Sequence, residues 1–163
     1  MKGSTLMKVL LPLLLLSFIC TGVWAAKNAL NLVSKAEKET TIVKDGKKEV
    51  TLAAPSKTLP GDVIRYSNHY TNTGSKPAEN AVITNPVPND TTYIDGSAFG
   101  DGAEITFSID KGKTFDSPGK LFKTEKGKKR NALAGEYTHI RWLLKSVIPP
   151  GKQGDVGFKV KIK

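Results

Sequence analysis

Apolar and polar residues alternate with a period of two along most of this chain, and helical periodicity is nearly absent. The alternation is clearest at 63–71, 137–145 and 156–162. Because successive side chains of a strand point to opposite faces, one face of each segment is expected to enter a core. The inward positions are Ile64, Tyr66, Asn68, Tyr70, Ile140, Trp142, Leu144, Val156, Phe158, Val160 and Ile162. The pattern predicts an all-β protein.

Turn signals divide the rest of the chain into shorter strands. We predict strands at 30–36, 49–53, 78–84, 91–94 and 104–109. Asp45-Gly46 favours a tight hairpin between the first two of these. Pro86 and Pro88 cannot donate to a strand ladder, so they mark a strand end or a sheet edge. Together these features predict an immunoglobulin-like β-sandwich of about seven antiparallel strands.

Residues 1–25 have the composition of a secretory signal peptide. A positively charged start is followed by an apolar run at 9–19 and a cleavage site after Ala25. The run is shorter than the roughly 20 residues of a membrane span, and Pro12 interrupts it, so an uncleaved anchor is disfavoured. Lipid attachment at Cys20 is a weaker alternative, because Ile19 stands where that signal has Gly or Ala. We expect an exported protein without a transmembrane span after cleavage, located in the periplasm, at the outer membrane or outside the cell.

The mature chain is basic and lacks cysteine. The formal net charge of the full chain is +10, and removal of the two lysines in the signal peptide leaves +8. Cys20 is the only cysteine, so cleavage leaves no disulfide, thiol nucleophile or thiolate metal site. The mature length suits one domain, with lead-in strands at 26–58 and the sandwich at 59–163. In an exported protein, this charge favours an acidic surface polymer or anionic lipid over nucleic acid.

Residues 120–130 are rich in basic side chains and poor in apolar ones. We predict a long solvated loop or a frayed hairpin tip. Such charge runs are usually only solvated surface, but this one is the best candidate for electrostatic contact with a partner. The candidate contact residues are Lys123, Lys126, Lys128, Lys129 and Arg130.

The segment Ser108-Ile109-Asp110-Lys111-Gly112-Lys113-Thr114-Phe115 resembles the Asp-box of sialidase-type propellers, with the pattern Ser-x-Asp-x-Gly-x-Thr-aromatic. One copy cannot form a propeller. We therefore expect a structural turn, in which the Asp110 carboxylate accepts hydrogen bonds from turn amides and Phe115 packs back over the turn.

The inventory of catalytic residues is poor. His69 and His139 are both predicted to point outward from strands, and a shared metal site would need them on neighbouring strands with a carboxylate nearby. No Gly-x-Ser-x-Gly elbow is present. Asp95, Asp101 and Asp110 lie in glycine-containing turns where calcium ligands could converge, although such residues usually bond their own backbone. We predict no enzymatic activity, no cofactor and no metal.

A series of motifs runs from Pro60 to Gly151 in a fixed order. They are Pro60-Gly61-Asp62, Thr71-Asn72-Thr73-Gly74, Ala81-Val82-Ile83-Thr84-Asn85-Pro86-Val87-Pro88, Thr91-Thr92-Tyr93, Ile140-Arg141-Trp142 and Pro149-Pro150-Gly151. This series resembles the bacterial conserved-repeat family known as domain of unknown function eleven. The resemblance covers about 59–162 and implies an immunoglobulin-type sandwich of cell-surface, outer-membrane or exported proteins, acting as a structural or binding module.

The chain departs from that family at three points. Asn68 replaces an inward aliphatic residue, Asn85 replaces an acidic residue before proline, and only one copy is present. A buried Asn68 without partners would cost about 1–3 kcal/mol, so we expect a satisfied structural amide near the end of the sheet.

These observations favour an exported, non-enzymatic structural or binding module of the bacterial cell envelope that contacts a protein or an acidic polymer. The alternatives are a carbohydrate-binding or calcium-dependent secreted domain and, less favoured, a secreted hydrolase. Strand addition at an exposed sheet edge is a further mode of binding that no sequence feature selects.

Overall fold

The computed structural model describes residues 30–163, so the expected signal peptide at 1–25 lies outside the described residues. These residues form eleven strands and two single-turn 3-10 helices, at Pro118–Lys120 and Ala134–Glu136. The strands are β1 Leu30–Lys44, β2 Lys47–Ala53, β3 Val63–Asn72, β4 Ala81–Pro86, β5 Thr91–Tyr93, β6 Phe99–Gly100, β7 Ala103–Ser108, β8 Phe122–Glu125, β9 Lys128–Asn131, β10 His139–Leu144 and β11 Gln153–Ile162. Neither helix in this part of the chain is long and apolar enough to cross a membrane.

Two antiparallel sheets face each other. The first has the strand order β2-β1-β3-β11-β5, with β6 also pairing β11, and the second has the order β4-β10-β7. A separate β8–β9 hairpin forms the third sheet. Seven strands make the two layers, namely β1, β3, β11 and β5 against β4, β10 and β7. The predicted all-β sandwich is confirmed, and the other four strands are additions to it.

The core lies between the two sheets and follows the predicted alternation. Ile140, Trp142, Val156, Phe158 and Val160 are all fully buried. The rings of Trp142 and Phe158 come from opposite sheets, and their centroids are 6.1 Å apart. Because the indole Nε1 of Trp142 donates to the carbonyl of Phe99 at 2.9 Å, its polar atom is satisfied inside the core.

The first strand is longer than its apolar pattern predicted. Its first ten residues, 30–39, pair with β3, and residues 38–44 pair with β2 through a hairpin at Asp45-Gly46. The predicted strand at 30–36 and the hairpin are confirmed, but the strand continues through a stretch of charged residues and threonines that carries no clear alternation. Residues 40–51, which we call the β1–β2 arm, extend beyond β3 and are exposed along their whole length.

Both outer strands of the second sheet are short. β4 is an edge strand and ends at Pro86, as the prolines predicted.

The chain passes from one sheet to the other through β6. A Cβ atom at Gly100 would lie 2.9 Å from Val156 and 3.0 Å from Trp142, so the crossing fits closely against the core.

Candidate functional site: the basic β8–β9 hairpin

The basic segment forms an ordered hairpin. β8 and β9 pair from Phe122↔Asn131 to Glu125↔Lys128. Lys126 and Gly127 both have positive φ, 49° and 77°, as the tight two-residue turn of a hairpin requires. At the base, the amide of Ala132 donates to the carbonyl of Leu121 at 2.8 Å, and both residues are buried. Of the two predicted forms, the structure is a hairpin, and it is attached to the core at its base.

Glu136 clamps the hairpin from the 3-10 helix that follows it. Both η nitrogens of Arg130 donate to the Glu136 carboxylate at 2.8 Å, and Lys123 Nζ donates to it at 2.9 Å. The amide of Leu133 adds a fourth hydrogen bond at 2.8 Å. The bonds from Arg130, and then those from Lys123 and Leu133, hold the pKa of Glu136 well below its ordinary value. The carboxylate of Glu136 is therefore ionised in the folded protein at neutral pH.

Two of the five predicted contact residues are thus used inside the hairpin. Arg130 also donates through Nε to Glu125 at 2.8 Å, and the two carboxylates raise the pKa of its guanidinium. Lys123 is held by Glu136. Sequence reasoning placed both with the partner contacts, because residue spacing did not reveal that Glu136 would fold back onto them.

The other three candidates lie at the tip of the hairpin. Lys126 and Lys128 are exposed and form no ion pair with any residue in 30–163. Lys129 Nζ lies 4.0 Å above the centroid of the Phe122 ring, on the face opposite the Glu136 clamp. We call Lys126, Lys128 and Lys129 the tip lysines. They place three positive charges on a short, well-anchored hairpin.

A shallow groove connects the tip lysines to the Asp110 turn. Lys120, Phe122 and Lys129 line one side, and Asp110 and Thr114 line the other. The groove is open to solvent and has cations on the hairpin side. Asp116 lines it as well, so the groove carries two carboxylates beside its two lysines.

The Asp110 turn has the predicted hydrogen bonds. Its carboxylate accepts from the amides of Lys113 and Thr114, at 3.1 and 3.0 Å, and from the hydroxyls of Thr114 and Ser108, at 2.6 and 2.7 Å. These hydrogen bonds hold the pKa of Asp110 well below its ordinary value, and the bond from the Thr114 hydroxyl has the largest effect. The ring of Phe115 lies under the guanidinium of Arg141, with 3.5 Å between the Cζ atom and the ring centroid. Its packing over the turn stays a prediction.

The candidate metal ligands are not brought together. His69 lies on β3 and contacts Asp155 at 3.0 Å, whereas His139 begins β10 in the other sheet. They are therefore not on neighbouring strands, as a shared metal site would need. Asp101 and Asp110 flank opposite ends of β7, roughly 20 Å apart for a strand of this length, so the turn aspartates do not converge. Within residues 30–163, no group of three His, Cys, Asp or Glu side chains could hold a metal ion.

Asn68 is buried, but it is only half satisfied. It pairs with Ser34 and Val156 in the middle of β3, and its exposed fraction is 1%. Its Oδ1 accepts from the hydroxyl of Ser34 at 2.6 Å. Its Nδ2 has no hydrogen-bond partner among the described residues. The expectation of a satisfied amide near the sheet end is therefore wrong in both respects.

Comparison with known proteins adds little. No family model matches the chain, and no curated protein matches it significantly. A solved structure described as a "putative membrane anchored protein from Corynebacterium diphtheriae" is similar to it at 19% sequence identity and a TM-score of 0.46. The match covers 85% of this chain and 28% of that protein, so the chain spans less than a third of its length. At this level of similarity, no property of that protein is transferred to this chain.

Proposed function

We propose that the mature protein is an exported, non-enzymatic binding module of the cell envelope, and that the tip lysines dock it on an acidic surface polymer. The observation that carries this proposal is the division of charge within the hairpin. Glu136 engages Lys123 and Arg130, while Lys126, Lys128 and Lys129 have no carboxylate partner in the described part of the chain. The positive charges of Lys123 and Arg130 are therefore paired within the hairpin, and those of the tip lysines are not.

The chemistry of the tip suits a repeating anion. Residues 120–131 contain six basic side chains and one acidic one. A lysine ammonium is a compact point charge that can donate hydrogen bonds to phosphate or carboxylate in many directions, whereas arginine favours one planar, bidentate geometry. Three lysines on one hairpin therefore fit a polymer with repeated charges better than a single shaped ligand. The net charge of the mature chain, +8, increases the rate of encounter with such a polymer.

Two further observations support a binding module. The motifs between Pro60 and Gly151 resemble a conserved-repeat family of exported and cell-surface proteins, and this resemblance supports the envelope location. The two histidines are engaged by their neighbours, His69 by Asp155 and Gln153, and His139 by Thr138. Each of these contacts is consistent with a structural role.

The proposal is tested by measuring binding of residues 26–163 to immobilised lipoteichoic acid and to lipopolysaccharide at several salt concentrations. Replacing the three tip lysines by serine should weaken binding about tenfold at low salt, since each exposed pair contributes roughly 0.2–1 kcal/mol. The remaining binding should also depend less on salt.

A matched control is available on the β1–β2 arm. Lys44, Lys47 and Lys48 surround its turn, so their replacement by serine removes the same charge from another hairpin tip. Binding should be nearly unchanged in this variant. Equal losses in the two triple variants would show that only net charge matters and would contradict the docking site.

A further inference from the structure

A small recess opens between the two sheets beside β1. It encloses about 180 Å³ and is lined by Ser34 and Ala36 of β1, Tyr66 and Asn68 of β3, and Asn85 of β4. Lys35 and Ser67 complete the lining, so most of its residues are polar, but most of the surface that they expose in the recess is apolar. Its lining shares no residue with the β8–β9 hairpin or with the groove beside that hairpin, so it is a second candidate surface.

The wall of the recess carries the half-satisfied amide of Asn68. Its Nδ2 has no partner in residues 30–163, although the side chain is almost completely buried. The hydroxyl of Ser34 can donate to Oδ1 of Asn68 or accept from its Nδ2, depending on how the amide is oriented. In either orientation, the other polar atom of the amide lacks a partner. A group that both donates and accepts would match Asn68 in either orientation. The side-chain amide of Asn or Gln is such a group.

The backbone beside the recess is also unpaired. β2 ends at Ala53, opposite Lys38, so the edge of β1 at 30–37 that faces away from β3 pairs with no described strand. Leu32 has the inward parity of Ser34 and Ala36, yet 44% of its surface is exposed. Unpaired N–H and C=O groups at two-residue spacing are the template on which an extended peptide adds to a sheet.

We propose that the edge of β1 at 30–37 accepts an extended strand from a partner protein, whose Asn or Gln side chain enters the recess at Asn68. The backbone edge selects a peptide over a polysaccharide, because only a peptide supplies N–H and C=O groups at the matching spacing. The size of the recess suits one side chain. Inward positions of an added strand repeat every two residues. The partner strand should therefore have the pattern apolar-x-(Asn/Gln)-x-apolar, with the apolar residues over Leu32 and Ala36.

Binding of labelled peptides to residues 26–163, measured by fluorescence anisotropy, tests the proposal. The reference probe is KTVTNTVTE, which places Val, Asn and Val on one face and has no net charge. Probes with Gln, Leu or Lys at the central position complete the series. The Asn and Gln probes should bind about tenfold more tightly than the Leu probe, because Leu leaves the Asn68 amide unsatisfied. Hydrogen exchange should show added protection at residues 30–37.

Two variants make the test specific. Asn68→Leu should reverse the order, so that the Leu probe binds best. Thr71→Ala, on the opposite face of β3 and outside the recess, should retain the preference for Asn and Gln. If Asn68→Leu does not fold, a second probe takes the place of this variant. It is the Asn peptide with methyl groups on the backbone amides that would face β1, and it should not bind.

Three results would overturn the proposal. The first is that no probe binds at millimolar concentration. The second is that Asn68→Leu binds the probes with the same order of affinity as the native chain. The third is that a bound probe protects the amides of β2 or β4 from hydrogen exchange, and not those of residues 30–37. Protection of residues 30–37 by lipoteichoic acid but by no peptide would identify a polymer site instead. The tip-lysine variant should bind the probes normally, so failure here is distinct from failure of the polymer-docking proposal.

Discussion

Gly157 lies on the outer face of β11, where the first sheet has almost no room for a side chain. A Cβ atom there would collide with the carbonyl oxygen of Tyr66 and would lie 2.6 Å from the ring of Phe99. The guanidinium of Arg65 covers the same ring, 4.7 Å from its centroid. The ring of Phe99 therefore covers the outer face of the sheet at Gly157, and the guanidinium of Arg65 stacks on that ring.

Gly157→Ala should destabilise the fold by about 1–3 kcal/mol, because the backbone at Tyr66 cannot move away without disturbing the β3–β11 ladder. Urea unfolding followed by circular dichroism measures this change. Gly119→Ala is the control, since a Cβ atom there meets nothing within 4 Å and its φ is not positive. Similar midpoints for the two variants would contradict the close packing at Gly157.

Single-residue roles were predictable where they depend on strand parity, and unpredictable where they depend on register. The inward direction of Asn68 follows from alternation along β3. Its contact with Ser34 requires the pairing of β1 with β3, across 34 residues of sequence. The same limit applied to Arg65 and Phe99, which meet because β3 and β6 both pair with β11.

At the scale of elements, the β8–β9 hairpin is held by one carboxylate. Glu136 bonds Arg130 on β9, Lys123 on β8 and the amide of Leu133 in the connection. Glu136→Gln should therefore loosen the hairpin as a unit and increase amide hydrogen exchange across residues 121–132. Glu125→Gln should have a smaller effect, because Glu125 is largely exposed and bonds only the Nε of Arg130.

The same clamp should weaken in acid. The pKa of Glu136 is lowered in the folded protein from an ordinary value of 4.5, mainly by Arg130. The clamp is therefore fully formed above about pH 4.5, and its contribution is lost as the pH falls through the lower, folded value. The difference in exchange between the native chain and Glu136→Gln should be constant near neutral pH and shrink below pH 4.5. A difference that grows on acidification would contradict this assignment.

Elements with a buried face were predictable, and the exposed ones were predicted less completely. β10 alternates between buried and accessible positions, and β11 does so between 156 and 161 except at Gly157, which Phe99 covers. Their apolar residues therefore recur every second position. Every residue of β8 is exposed, and β9 has only one partly buried residue. Their sequence carries charge instead of alternation. The Lys126-Gly127 turn was the available signal for this hairpin, because its second residue is glycine.

At the scale of the molecule, the first strand, β1, is part of the sandwich. The family resemblance begins near Leu59, yet ten residues of β1 pair with β3. Ion pairs extend the junction, with Lys38 Nζ 2.6 Å from Asp62 and Lys159 Nζ 2.7 Å from Glu39. β1 thus covers one edge of β3, while β11 covers the other.

A chain of residues 59–163 should therefore fail to unfold cooperatively, although it contains every motif of the resemblance. It would expose ten residues of β3 as a new edge and remove the hydrogen bond that Ser34 donates to the side chain of Asn68. Residues 26–163 should show one sharp transition in thermal circular dichroism. The control replaces residues 41–50 with Asn-Gly, which shortens the exposed arm but keeps the pairing of β1 with β3. This control should unfold like the parent, because the arm buries little. Cooperative unfolding of residues 59–163 at the parent's midpoint would instead make β1 an appendage, and the strand-addition edge would then lie on β3.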